Sequence, residues 1–229
     1  MTTHPTVLLI GASRGLGLAL AQEYLSRGAH VVATVRGARR TPLHDLADDP
    51  QLEIEHVDIT DRAQVESLRD RLAGRAFDLL FVVAGITNGR YETPADVDPD
   101  VFSQVMTTNA LSPMRTVEIL RDLVRPDGTI AVMSSGQGSI ANNERGGFEI
   151  YRASKSALNQ LMRSYAARHR DDPRTLLLAA PGWVRTELGG PDAALTVEES
   201  IPRLAGVIDA QRGRGGLQFL DYRGETLPW

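Results

Sequence analysis

The chain has 229 residues, 42% of them hydrophobic and 24% charged, with a formal net charge of −4; that is room for one well-buried domain and short for two. The lack of a basic surplus argues against nucleic acid as a partner. There is no cysteine, which excludes disulfides, thiolate metal sites and a cysteine nucleophile and suits a reducing cytosol.

Short apolar runs alternate with longer amphipathic stretches from end to end. The patterning predicts strands over 7–10, 30–35, 52–57, 77–83, 129–133, 175–179 and 217–220. Several are near-continuous Val, Leu, Ile and Ala, as parallel strands covered on both faces require. Between them the spacing predicts helices over 16–27, 62–72, 100–124, 151–170 and 197–211. This alternation argues for a single α/β domain over residues 1–229, a doubly wound, seven-stranded and mostly parallel sheet with helices on both faces. Asp61 suits an N-cap, and Pro99 suits a first helical turn. Pro113 inside the long helical pattern predicts an irregularity near Asn109. The loosest segments, 135–149 and 189–195, follow strands on the edge where such sheets bind ligands.

The apolar run at 7–10 is too short for a signal h-region or a membrane span, so a cytoplasmic protein without a membrane partner is expected. The five histidines, His4, His30, His44, His56 and His169, show no ligand spacing, and no metal is expected.

The first strand runs into "LLIGASRGLGLAL", where Gly11, Gly15 and Gly17 end the strand and open a helix. Glycines there let a pyrophosphate approach the backbone amides at the positive end of the helix. The bland alternative is a tight turn with close helix–sheet packing. At the end of the second strand, where an acid would hold the ribose 2′-hydroxyl of NAD, stand Thr34, Val35 and Arg36. Arg14 lies in the glycine turn. Two guanidiniums suit a 2′-phosphate, so NADP(H) is preferred over NAD(H), although either arginine could be solvated surface. Asp58, after the third strand, is a candidate adenine acceptor or a turn residue. Ala84 and Gly85 close the fourth strand and leave room for a cofactor.

"YRASKSALN" holds the only lysine of the chain, Lys155, against 24 arginines. On a helix it lies four residues after Tyr151, on the same face as Leu158 and Met162. An ammonium beside a phenol lowers the phenol pKa and makes Tyr151 a usable acid/base near neutral pH. A compact ammonium can serve a phenol and a ribose together, where a planar fork would not fit. Ser135 or Ser134, after the fifth strand, could reach the same crevice and hydrogen-bond a carbonyl oxygen. Asn109 could belong to the site or only to the helix irregularity.

In this order, "GASRGLG", "VDIT", Ala84-Gly85, Asn109, "SSGQG", Tyr151-x-x-x-Lys155 and "PGWVRT" resemble the short-chain dehydrogenase/reductase family, over nearly the whole chain. "YRASKSALN", "PGWVRTELGG" and the tail "GGLQFLDYRGETLPW" are similar to its carbonyl-reductase and C-factor-like branch. The resemblance implies a sheet in the order 3-2-1-4-5-6-7. It implies Tyr151 as acid/base, Lys155 on the phenol and nicotinamide ribose, Ser135 on the carbonyl and Asn109 on a relay water. Ser135 is favoured over Ser134 by the family's Ser-x-x-Gly pattern, met with Gly138. The implied cofactor contacts are Gly11, Ser13, Arg14, Gly15, Leu16, Gly17, Arg36, Asp58, Ile59, Ala84, Gly85, Tyr151, Lys155, Pro181, Gly182, Val184 and Thr186. The implied reaction is NADPH-dependent reduction of a ketone, aldehyde or quinone, or the reverse. A signalling protein with incidental catalysis and a dehydrating or epimerising enzyme are the alternatives. A homodimer or homotetramer is implied, paired through the helices at 100–124 and 151–170. The family's Asn-Asn before Ala-Gly is Val82-Val83 here, and its Thr before the first glycine is Ile10. Both departures touch structural hydrogen bonds rather than chemistry. The short segment after "PGWVRT" implies a small substrate lid.

Overall fold

A computed structural model describes residues 4–89 and 91–229. Strands β1 (Thr6–Ile10), β2 (His30–Val35), β3 (Leu52–His56), β4 (Phe77–Val82), β5 (Val124–Met133), β6 (Thr175–Ala180) and β7 (Gly216–Asp221) form one sheet in the order β3-β2-β1-β4-β5-β6-β7. Every neighbouring pair is parallel. A parallel sheet needs crossover helices, and they cover both faces. They are α1 (Gly15–Ser26), α2 (Arg62–Arg71), α3 (Pro99–Met106), α4 (Ser112–Leu120), α5 (Glu149–Arg168) and α6 (Val197–Gln211).

Alternate residues of each strand feed two cores. Leu8, Ile10, Leu80 and Val82 pack with Val65, Val117, Leu158 and Met162 beneath α2, α4 and α5. Val7, Leu9, Leu79 and Phe81 pack with Leu20, Tyr24, Leu204 and Ile208 beneath α1 and α6. Strands buried on both faces have no polar side to show, which is why they read as unbroken apolar runs.

The helix starts have local causes. The Asp61 carboxylate accepts from Ala63 N at 2.9 Å, and Asp98 accepts from Asp100 N at 2.8 Å ahead of Pro99. Thr196 and Glu199 form a reciprocal capping box at α6. Such caps satisfy amides that have no partner within the helix.

The helix expected over 100–124 is divided. A π-helical turn, Thr107–Leu111, separates α3 from α4, and a 3-10 turn ends the run at Leu123. Pro113 brings no N–H to the helical ladder, so the backbone widens upstream of it. Val124, expected in that helix, instead opens β5, which begins earlier than the 129–133 reading. Among the described residues no helix is long and apolar enough to cross a membrane.

Candidate active site

Every site residue expected from the sequence lies at or beyond the carboxyl end of a strand, or on the π turn and α5 that face this edge. The glycine turn is built by close packing. Gly11 has φ +96°, and a Cβ on it would sit 2.8 Å from the Ala84 Cβ. A Cβ on Gly17 would lie 2.1 Å from the Gly11 carbonyl oxygen. The turn is tied to β2, because Gly11 N donates to Thr34 Oγ1 at 2.9 Å and Ala12 N to Thr34 O at 2.8 Å. Thr34 therefore serves the turn, a role the sequence reading missed. Ser13 and Arg14 complete the loop, and Gly15, Leu16 and Gly17 open α1. The Ile10 carbonyl accepts from both Val83 N and Ala84 N. The backbone thus joins β1 to the end of β4 with valines where the family has Asn-Asn.

Arg36 follows β2 directly and is exposed, and among the described residues no carboxylate pairs with it. Arg14 reaches across the cleft to Glu187, Nη1 to Oε2 2.9 Å. Asp58 has a local job: its Oδ1 accepts from Thr60 N at 2.9 Å and Thr60 Oγ1 at 2.7 Å. Ile59 is buried in the core beside Val57. Beyond β6, the Pro181 carbonyl accepts from Ser200 Oγ at 2.7 Å, Gly182 takes φ +83°, and Val184 bridges to Leu195. The loop that follows is tightly folded. Thr186 Oγ1 accepts from Gly189 N at 3.0 Å, and Trp183 Nε1 donates to the Gly189 carbonyl at 2.7 Å. Thr186 also faces the glycine turn: its Cβ would be 4.0 Å from a Cβ on Gly15.

The glycine cradle, open where side chains would fill it, fits a dinucleotide pyrophosphate at the α1 N-terminus. Arg36 after β2 and Arg14 in the glycine turn fit an added 2′-phosphate.

The four residues expected to be catalytic lie just after β5, on the π turn and on α5. Ser135 follows β5 by two residues. Its Oγ accepts from Gln137 N at 3.1 Å and starts the turn Gly136–Gly138. Ser134 points elsewhere: it is buried, and its hydroxyl donates to Asn159 Oδ1 at 2.6 Å. Packing thus engages Ser134 in the core and leaves Ser135 partly exposed. Gly138 lets the turn touch α5, since a Cβ there would be 3.0 Å from Asn159 Nδ2 and 3.1 Å from Lys155. Asn109 is completely buried and holds Ile86 by both its backbone groups. It also donates to Ser154 Oγ at 3.0 Å, and Ser154 in turn donates to the Tyr151 carbonyl at 2.7 Å. Ser154 links the π turn to α5. Its signal was present, three residues after Tyr151 on one helix face, but nothing in the pattern separated it from an ordinary helical serine.

Lys155 is 2% exposed, and its ammonium donates to the Met133 carbonyl at 2.9 Å. Nζ lies 5.8 Å from the centre of the Tyr151 ring. Burial pushes Lys155 down to about 8. Burial also pushes Tyr151 up to about 12, while its hydrogen bond with Ser135 pulls the other way. This reverses the expected lowering of the phenol pKa. At this separation, with the ammonium engaged by a carbonyl, desolvation of the phenol outweighs the charge. Both groups are consequently protonated at neutral pH.

The fold and this edge define a class, the nucleotide-dependent α/β oxidoreductases with Rossmann-type sheets. Residues 5–194 match the family model for short chain dehydrogenase, and the chain belongs to that family. It is an NAD(P)-dependent oxidoreductase. It is similar to a chain described as a short-chain dehydrogenase/reductase from Burkholderia multivorans with bound NADP, at 58% identity and TM-score 0.97 over 99% of this chain and 100% of that one. A carbonyl reductase from Pseudomonas aeruginosa PAO1 in complex with NADP is 38% identical, with TM-score 0.91 over 99% and 100% of the two chains. C-signal from Myxococcus xanthus is 36% identical over 154 residues, 66% of this chain and 92% of that protein.

Proposed function

We propose that the protein reduces a small ketone, aldehyde or quinone with NADPH, or runs the reverse oxidation, with Tyr151 as the acid/base. The observation that carries this is the buried Lys155 ammonium, 5.8 Å from the centre of the Tyr151 ring on the same helix. Bound nicotinamide would supply or accept the hydride at carbon. Tyr151, protonated at neutral pH, donates its proton to the carbonyl oxygen as negative charge develops there. Ser135 hydrogen-bonds that oxygen and holds the phenol beside it. Lys155 contributes positive charge beneath the phenol and can reach a ribose hydroxyl. Asn109 holds the π turn and Ile86 in place, with its carboxamide and the Lys155 ammonium both close to Gly85. NADP(H) is preferred over NAD(H), with Arg36 and Arg14 on the 2′-phosphate and the glycine turn on the pyrophosphate. NADP in the Burkholderia and Pseudomonas structures supports that preference. We read residues 1–229 as one catalytic domain, cytoplasmic, that pairs into a homodimer or homotetramer through the helical stretches 100–124 and 151–170.

Tyr151→Phe should lower kcat by about 100-fold or more while NADPH binding, followed by nucleotide fluorescence, stays near wild type. Full turnover in that variant would sink the mechanism.

The likeness to C-signal favours a second reading, a cofactor-binding signalling protein with incidental catalysis. A panel of ketones and quinones assayed for NADPH oxidation separates the two. Silence across the panel with tight NADPH binding would favour the second.

A further inference from the structure

The Arg14–Glu187 pair stands across the cofactor cleft with an odd division of labour. Two arginines occupy the ends of adjacent strands, β1 and β2, where the adenosine ribose of a dinucleotide lies in sheets of this kind. Among the described residues no carboxylate pairs with Arg36, and Arg14 is held by a carboxylate from the lid after β6. Glu187 is presented by a compact loop, in which Gly189 N and Gly190 N fold back onto Thr186 at 3.0 and 2.9 Å. A Cβ on Gly189 would meet the Val184 carbonyl at 2.0 Å, so this loop keeps its shape. The pair itself is loose: the two side chains are 70% and 74% exposed. An exposed pair of this kind is weak and easily exchanged for a better anion.

We infer that Glu187 is a specificity-determining residue that competes with the 2′-phosphate of NADP(H) for the Arg14 guanidinium. The inference rests on the reading of Arg14 and Arg36 as 2′-phosphate ligands. NADP(H) draws Arg14 away from Glu187 and gains two guanidiniums. NAD(H) has no 2′-phosphate to offer, and Arg14 stays on the lid. Glu187 therefore lowers affinity for NADP(H) and is neutral toward NAD(H), which narrows the selectivity the two arginines would otherwise give. The carboxylate acts through Arg14 alone.

The test is nucleotide binding, measured by NADPH and NADH fluorescence titration at low and high salt on the full chain. Glu187→Gln keeps the shape of the lid residue and removes its charge. Its NADPH Kd should fall about two- to fivefold, the range of one exposed ion pair, with NADH unchanged. The gain should shrink at high salt and vanish in an Arg14→Ala background. Equal weakening of both nucleotides would instead make the pair a strut that closes the lid, and would overturn the inference. So would no change in either. Arg14→Ala keeps the underlying reading separately testable. If it leaves the NADPH/NADH ratio intact, the 2′-phosphate reading falls and the inference with it. If it lowers the ratio while Glu187→Gln is inert, only the inference falls.

Discussion

Asn109 grips Ile86 from both sides: its Oδ1 accepts from Ile86 N at 2.8 Å, and its Nδ2 donates to Ile86 O at 2.8 Å. One side chain in the π turn thereby completes the backbone ladder of the loop after β4, next to Gly85. Asn109→Ala would leave two partly buried backbone groups of Ile86 without these partners. It should destabilise the fold by about 2–3 kcal/mol in urea denaturation and speed amide exchange at Ile86. Unchanged exchange there would mean that the loop finds its partners elsewhere.

The adjacent serines should dissociate stability from activity. Ser134 donates to Asn159 inside the core at 2.6 Å, so Ser134→Ala should cost about 1–2 kcal/mol and leave residual kcat in proportion to folded protein. Ser135 is partly exposed, and the proposed mechanism sets its hydroxyl on the substrate carbonyl. Ser135→Ala should keep its melting temperature and lose about 10-fold or more in kcat. The reverse pattern would exchange the two roles.

Burial of Lys155 sets a pH dependence with a definite sign. Its folded pKa, about 8, lies below the ordinary 10.5. Between these values the unfolded chain binds the extra proton, so unfolding free energy rises with pH across that window, by up to on the order of 3 kcal/mol. Tyr151 opposes this higher up: it is raised from 10.0 to about 12, so the folded chain keeps the proton there and stability falls through that range. Urea midpoints taken at steps from neutral pH to above 10 should rise in the wild type and lose this rise in Lys155→Met. A flat wild-type profile would contradict it.

The same titration should govern turnover. In the proposed mechanism the ammonium supports the phenol, so kcat/KM for carbonyl reduction should decline as pH rises through about 8. Lys155→Arg keeps a charge that does not titrate in this range. It should remove that limb while still costing most of the activity. A normal rate in this variant would make the lone lysine incidental.

Gly17→Ala should be among the most disruptive single methyl additions, because its Cβ would lie 2.1 Å from the Gly11 carbonyl oxygen. Overpacking of that kind costs about 1–3 kcal/mol or more, and the glycine turn would be displaced from Ala84. Gly136→Ala, with open space around its Cβ, is the control: its thermal melt should match wild type.

The sequence alone determined the strand–helix alternation, the parallel sheet order through family resemblance, and the presence of glycines, serines, Tyr151 and Lys155 at strand ends. These were legible because buried parallel strands must be apolar throughout and because glycine spacing is a local backbone requirement. Helix boundaries were less legible around Pro113, where a missing N–H could produce a kink, a stop or a π turn. Only the tertiary structure decided for the π turn, because Asn109 had to meet Ile86 and Ser154 at once. Tertiary packing also separated the environments of Ser134 and Ser135, by giving Ser134 a buried amide partner. It set the direction of the Tyr151 shift as well. A phenol and an ammonium four residues apart suggest attraction, but the balance between charge and desolvation depends on how much protein surrounds each group. That quantity is absent from any spacing in the chain and exists only once β5, the π turn and α5 have packed together.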